Sequence, residues 1–157
     1  MLTKWAVRTA VAWLALGSAV LVCGCGDKGN EKPVFKVHGT LTFEGEPMAK
    51  AEIAFIPADP TQRGLQSRAT ADANGAYTLY TYRQNDGAPA GDYVVTIYWP
   101  GQLSKKAAEK LEKSETPEEK DSIIAPDRLK GAYRDPQKTK LKATVADKDN
   151  AIDFKLP

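Results

Sequence analysis

The chain contains few side chains whose chemistry suits catalysis. His38 is its only histidine, and imidazole is the side chain best suited to general acid–base catalysis near neutral pH. Apolar and polar residues alternate around His38, which predicts an exposed position on a strand. The serines lie in no recognisable nucleophile motif, and one histidine without a cysteine in the same domain lacks the usual zinc ligands. We therefore predict no enzyme activity, no metal site and no cofactor.

Three residues have the spacing that opens a calcium-binding loop, namely Asp72, Asn74 and Gly75. Such a loop ends with an acidic ligand, but Arg83 occupies that position. The same residue types are typical of a tight turn, because Asx side chains bond their own backbone and glycine accepts a positive φ. We therefore predict a turn between the two strands of a hairpin over 65–82.

Four aromatic residues are the remaining candidates for a binding site. Alternation places part of the group opposite the core, where an exposed aromatic row is suited to binding glycan or peptide. The other interpretation is that their rings fill the core, and it is favoured because aromatic residues are common strand formers. The candidates are Tyr80, Tyr82, Tyr98 and Trp99.

Residues 1–24 have the three parts of a secretory signal peptide. Lys4 and Arg8 form a positive segment, residues 10–22 form an apolar segment that favours a helix, and small residues follow. An uncleaved membrane helix over the same apolar segment is the alternative.

The sequence Leu21-Val22-Cys23-Gly24-Cys25 resembles the lipobox of bacterial lipoproteins. In that family the signal peptide is cut directly before an invariant cysteine, which then carries lipid chains such as palmitate. Cys25 fits the acylated position because the small Gly24 precedes it, whereas Cys23 follows the bulky Val22. The resemblance implies cleavage between Gly24 and Cys25. It also implies a lipid anchor in a cell-envelope membrane, with the domain facing the periplasm or the exterior.

The charge of the chain argues against nucleic acid as a partner. Lys4 and Arg8 are the charged residues of the predicted signal peptide, so its removal lowers the count of basic residues from 22 to 20. The 20 acidic residues then balance them, whereas a nucleic-acid-binding domain carries a basic face. A length of 157 residues leaves room for one domain after the signal peptide.

The mature chain alternates between short apolar-polar segments and turn residues, which predicts an all-β antiparallel sandwich of about seven strands. Residues 25–33 are polar and glycine-containing, which predicts a flexible tether ahead of the domain over 34–157. The predicted strands cover 34–43, 51–56, the hairpin within 65–82, 92–99, and a final hairpin of 140–146 with 151–156.

A charged insertion over 102–121 interrupts this pattern. Three of its apolar residues repeat at helical spacing, which predicts one short exposed helix followed by a solvated loop, and its charge run is typical of a solvated face. The following segment, 123–140, is predicted to be irregular, with three apolar side chains packed against the sheets. They are Ile124, Leu129 and Tyr133.

Three blocks of sequence carry a family resemblance: Val37-His38-Gly39-Thr40-Leu41 through Gly45-Glu46-Pro47 and Ile53-Ala54-Phe55, then Ala71-Asp72-Ala73-Asn74-Gly75-Ala76-Tyr77-Thr78-Leu79, and then Pro89-Ala90-Gly91-Asp92-Tyr93-Val94-Val95-Thr96-Ile97. They are similar to the opening, the hairpin and a strand of carboxypeptidase regulatory-like domains. The tail, residues 129–156, is similar to that of small lipoproteins of planctomycete bacteria. The resemblance implies an Ig-like or transthyretin-like Greek-key sandwich, and it transfers no catalytic residue.

Together these features predict a lipid-anchored cell-envelope protein with a non-enzymatic sandwich for display or protein interaction. The alternative is a module that binds glycan or peptide through exposed aromatics or a sheet edge. Transthyretin-like hydrolases share the fold but end in a characteristic Tyr-Arg-Gly-Ser sequence, whereas this chain ends in Phe154-Lys155-Leu156-Pro157.

Replacing Cys25 with alanine tests the predicted anchor. We expect Cys25→Ala to move the protein from the membrane fraction to the soluble or secreted fraction. Burial of the acyl chains in the membrane contributes about 0.8 kcal/mol per CH₂ group, and the variant has no acyl chains. Cys23→Ala is the matched control and is expected to stay with the membrane. Equal membrane retention of both variants would show that Cys25 carries no anchor.

Overall fold

The computed structural model describes residues 31–157 as a β-rich domain. The predicted signal peptide, the Gly24–Cys25 cleavage site and most of the predicted tether lie outside the described residues. The strands are β1 (Val34–Phe35), β2 (Val37–Phe43), β3 (Glu46–Pro47), β4 (Glu52–Pro57), β5 (Ser67–Thr70), β6 (Ala76–Thr78), β7 (Ala88–Pro89), β8 (Gly91–Tyr98), β9 (Lys142–Val145), β10 (Asn150–Ala151) and β11 (Phe154–Leu156). The helices are α1 (Lys105–Lys113), α2 (Pro117–Asp121) and a 3₁₀ turn at Pro60–Gln62.

Two main sheets form the sandwich. The first has the order β5-β4-β8-β9, and every pair in it is antiparallel. The second is built around β2, which pairs antiparallel with β3 and β6 and parallel with β10 and β11. A short ladder of β1 with β7 completes the fold. The prediction of an all-β sandwich is therefore confirmed, with a parallel component in the second sheet that the sequence pattern did not indicate.

The core lies between the two sheets. Alternate residues of β4 and β8 are buried, as are Val37 and Leu41 of β2, and the buried residues form one hydrophobic cluster. Phe55 connects the layers because its ring lies 5.6 Å from that of Tyr93 in its own sheet and 6.2 Å from that of Phe154 in the other. These centroid distances are typical of favourable aromatic pairs.

The predicted final hairpin is wrong, because its two strands belong to different sheets. β9 pairs with β8, whereas β11 pairs in parallel with β2. Asn150 redirects the chain between them. Its side chain accepts a hydrogen bond from the Ala146 N–H at 2.9 Å and donates one to the Ala146 carbonyl oxygen at 3.0 Å, while its own N–H donates to Lys36. The Asn150 side chain thereby closes the loop over 146–150, and the Asn150 N–H attaches the end of this loop to the second sheet.

The turn at Asp72 is confirmed, but it joins two sheets and is not the tip of a regular hairpin. The Asp72 carboxylate accepts hydrogen bonds from the N–H groups of Asn74 and Ala76 at 2.8 and 2.9 Å, and Gly75 has a φ of 75°. β5 before the turn pairs with β4, and β6 after it pairs with β2. The predicted hairpin is present as one antiparallel bridge between Arg68 and Tyr80 and a hydrogen bond from the Asp72 N–H to the Ala76 carbonyl oxygen, while the main partners of its strands lie in the two sheets.

The charged insertion contains two helices, so the prediction of one helix followed by a loop is wrong for its second half. The α2 helix begins at Pro117, and Thr116 caps it by accepting a 3.3 Å hydrogen bond from the Glu119 N–H. Within residues 31–157, no helix is long and apolar enough to cross a membrane. In the irregular segment that follows, Leu129 is buried as predicted, whereas Ile124 is 58% exposed and does not pack against the sheets.

Gly39 on β2 gives a test of how tightly the second sheet is assembled. A Cβ atom at this position would overlap the carbonyl oxygen of Ile152, whereas a Cβ atom at Gly64 would meet no described atom within 4 Å. We expect Gly39→Ala to destabilise the domain by about 1–3 kcal/mol, the usual range for overpacking. Gly64→Ala is the matched control and should change stability by less than about 0.5 kcal/mol. Denaturant unfolding measures both, and equal effects would contradict the close approach of the two chain segments.

Candidate functional site

Trp99, one of the four aromatic candidates, belongs to the core. Its side chain is 3% exposed, and its indole N–H donates a 3.0 Å hydrogen bond to the carbonyl oxygen of Ala49. The guanidinium carbon of Arg128 lies 3.3 Å from the centre of the indole ring, a cation–π arrangement that covers the ring. A buried and covered ring presents no surface to a ligand, so Trp99 cannot belong to an exposed aromatic row.

The three candidate tyrosines lie in separate parts of the surface. Tyr98 is half-buried, its hydroxyl donates a 2.6 Å hydrogen bond to the carbonyl oxygen of Ala125, and burial raises its pKa. The Tyr82 hydroxyl accepts a 3.0 Å bond from the N–H of Lys32. Tyr80 is 44% exposed. The described residues therefore form no aromatic row, and Tyr80 is the candidate with the most accessible ring.

A groove of about 870 Å³ lies beside Tyr80, over the outward faces of β2 and β6. The register of these strands places His38 opposite Thr78 and Thr40 opposite Ala76. Because alternate residues of a strand share a face, these four residues form the floor. The groove combines one exposed aromatic ring with several polar side chains that can form hydrogen bonds to a ligand.

Two carboxylates line the groove, and each is fixed through one oxygen. Asp153 accepts hydrogen bonds from the N–H and the hydroxyl of Thr40 at 2.7 and 2.8 Å, both to its Oδ1 atom. The Thr40 hydroxyl is the main cause that lowers the pKa of Asp153, and the Thr40 N–H adds to it. Asp72 is held in the same way, through its Oδ1 atom, by the turn that it caps. In the described residues, the Oδ2 atoms of both groups make no hydrogen bond and can accept one from a ligand.

His38 lies at the edge of this floor, where its side chain is 45% exposed. Its Nδ1 atom lies 3.2 Å from the Asp149 carboxylate, but it makes no hydrogen bond to any described residue. Among the described residues, no serine hydroxyl is hydrogen-bonded to His38. The Ser67 hydroxyl is hydrogen-bonded to the Thr81 hydroxyl, and the Ser114 and Ser122 hydroxyls donate to helix backbone carbonyl oxygens. The Ser104 hydroxyl accepts a hydrogen bond from a backbone N–H at the start of α1.

The loop over 81–87 forms one wall of the groove and is held by a single carboxylate. Asp86 accepts hydrogen bonds from the N–H groups of Thr81, Tyr82 and Arg83 at 2.7, 3.1 and 2.8 Å. This arrangement places Asn85 at the groove. The outer side of the same loop contacts the end of the predicted tether, because Arg83 makes a two-pronged ion pair with Glu31 at 2.9 and 3.1 Å.

Sequence reasoning identified Tyr80 but missed the polar groups around it. Asp153 and Asn85 lie in segments that pattern analysis assigned to turns and strands, and their approach to Thr40 depends on tertiary pairing. No local pattern in the sequence indicates that these two residues belong to one site. Across residues 31–157, no cluster of three or more acidic, histidine or cysteine side chains is arranged to hold a metal ion.

Comparisons with known proteins add little to this description. No protein-family model matches the chain, and no curated protein is similar to it. One solved structure, a proposed carbohydrate-binding protein from Pseudomonas aeruginosa, is 15% identical, with a TM-score of 0.41 over 79% of this chain and 89% of that chain. The resemblance to carboxypeptidase regulatory-like domains therefore stays a prediction from sequence.

The hydrogen bonds between Thr40 and Asp153 predict an acid-dependent loss of stability. The folded pKa of Asp153 lies below its ordinary value of 3.8, so its contribution is complete at higher pH and disappears as the pH falls through the folded pKa. We expect the difference in unfolding free energy between the native protein and Asp153→Asn to be constant above about pH 5 and to shrink at lower pH.

Thr40→Val is the control for this cause, because it removes the hydroxyl donor and keeps the backbone donor. In the Thr40→Val background, Asp153→Asn should produce a smaller pH dependence, measured by urea unfolding in a double-mutant cycle. The same pH dependence in both backgrounds would show that the Thr40 hydroxyl is not responsible.

Proposed function

We propose that this protein is a glycan-binding module, held at a cell-envelope membrane by lipid on Cys25, and not an enzyme. The observation that carries the proposal is the groove of about 870 Å³ beside the exposed ring of Tyr80. Pyranose rings offer an apolar face to an aromatic ring and hydroxyl groups to polar side chains, and the groove provides both kinds of partner.

The polar groups of the groove are fixed before any ligand arrives, which favours binding. Asp153 is held by Thr40, Asp72 by its own turn, and the Asn85 loop by Asp86. A pre-organised site loses less conformational entropy when it binds than a flexible one. Fixed hydrogen-bond acceptors along a strand face suit a chain of sugars better than a single charged metabolite.

A sheet edge for peptide binding is less well supported by the described residues. β9 is an outer strand of the first sheet, but it spans four residues and carries Lys142 at an exposed position. Short edges with lysine are a common way to prevent strand addition. The groove is wider than this strand edge and is already lined with hydrogen-bond acceptors, so it is the stronger candidate for a binding site.

The experiment is a glycan array with the purified domain, followed by calorimetry on the glycans that bind. We expect Tyr80→Ala to weaken binding by about tenfold, because loss of an aromatic stacking surface removes roughly 1.4 kcal/mol. Tyr80→Phe keeps the ring and should retain most of the affinity.

Tyr98→Phe is a matched control at an aromatic residue outside the groove, and its binding should equal that of the native protein. The proposal is overturned if the array shows no binding, or if Tyr80→Ala binds as tightly as the native protein while remaining folded. Capture of an extended peptide without any glycan would assign the domain to the peptide-binding class.

A further inference from the structure

The charges of the groove, taken with the proposed glycan-binding function on which this step rests, narrow the class of glycan. Two carboxylates line the groove, at Asp72 and Asp153, and the ammonium group of Lys36 lies on the same surface. A third carboxylate, Asp149, lies directly behind His38. With Lys36 and with Lys155, whose charge acts on Asp153, two ammonium groups face three carboxylates, so an anionic ligand meets more like charge than opposite charge and a cationic ligand meets more attraction than repulsion.

The positions of the two groove carboxylates follow from the strand register. Thr40 on β2 pairs with Ala76 on β6. Asp153 binds the Thr40 N–H from one side, and Asp72 binds the Ala76 N–H from the other. Neighbouring strands are about 4.8 Å apart, so the two carboxylates bracket a floor on the order of 10–15 Å wide.

The free oxygen of each carboxylate needs a hydrogen-bond donor from the ligand. Sugar hydroxyl groups are donors, and their bonds to an ionised carboxylate are stronger than bonds between neutral groups. A carboxylate or sulfate on the sugar would offer another acceptor and a like charge, which disfavours binding. The Oδ2 atoms of Asp72 and Asp153, at the two sides of the floor, thus favour ligands that offer hydrogen-bond donors over ligands that offer negatively charged acceptors.

We infer that the groove discriminates against anionic glycans, with Asp72 and Asp153 as the residues that bind the hydroxyl groups of a glycan and repel acidic sugars. Tyr80, on the strand segment that follows β6, supplies the apolar contact to the ring of the same glycan. Its backbone is fixed by two 2.9 Å hydrogen bonds with Arg68. Discrimination against acidic sugars is therefore a property of the two carboxylates, and the stacking contact contributes affinity without discriminating charge.

The test uses matched hexasaccharides that differ in the oxidation of one carbon. Hexamers of glucose, galactose and mannose are compared by calorimetry with the hexa-uronates of the same three sugars, and a glucosamine hexamer is the cationic probe. We expect at least one neutral hexamer to bind, and to bind at least about tenfold tighter than its uronate. The double variant Asp72→Asn/Asp153→Asn should reduce that ratio to less than about threefold, because asparagine keeps the Oδ1 acceptor and removes the charge.

Glu118→Gln/Asp121→Asn removes the same number of charges from α2 and should leave the ratio unchanged. Thermal unfolding of both double variants confirms that they are folded. A uronate that binds as tightly as its neutral hexamer overturns the selection while leaving glycan binding intact, and so does a glucosamine hexamer that binds more weakly than the neutral hexamer. An unchanged ratio in the Asp72→Asn/Asp153→Asn variant overturns the role of these residues. Absence of binding to every hexamer overturns the proposed function itself.

Discussion

The β2 strand is the constraint on which the second sheet and the groove both depend. It is hydrogen-bonded along both edges, to β3 and β6 on one side and to β10 and β11 on the other. The approach of the C-terminal segment is close enough that Gly39 has no room for a side chain beside Ile152. Tyr77 reinforces the same contact, because its hydroxyl donates a 2.7 Å hydrogen bond to the Ile152 carbonyl oxygen and its burial raises its pKa. Residues that are far apart in sequence are thereby held on one surface.

The sequence predicted the strands well and their partners poorly. Period-two alternation reports which residues of a strand face the core, so β2, β4 and β8 could be recognised from their own side chains. Pairing depends on where each turn sends the chain. Asp72 and Asn150 both form turns that transfer the chain between sheets, and nothing in their local chemistry distinguishes such a turn from the tip of a hairpin. The prediction of the final hairpin failed for this reason, and the hairpin at Asp72 is reduced to the bridge between Arg68 and Tyr80.

The candidate site was predictable only in part because its members are brought together by tertiary structure. Tyr80 was identified as an aromatic residue of a strand, but the same argument included Trp99, whose ring is covered by Arg128. Aromatic strand residues fill cores as readily as they form surfaces, so residue type alone does not separate the two roles. The bond between Thr40 and Asp153 spans 113 positions in the chain, and no periodicity or motif carries information over that separation. The polar half of the groove therefore required the fold.

The ion pair between Glu31 and Arg83, described above as a contact of the loop over 81–87, determines where the chain leaves the domain. That exit lies on the loop that also forms a wall of the groove. In the proposed anchored protein, five residues separate Cys25 from Glu31, and whatever their conformation they span no more than about 20 Å. If Cys25 carries lipid as proposed, a segment this short would keep the wall of the groove close to the lipid headgroups, and the glycans within reach would be those that lie at the membrane surface. A pulling force on this segment would also act first on the Glu31–Arg83 pair, at the wall of the groove.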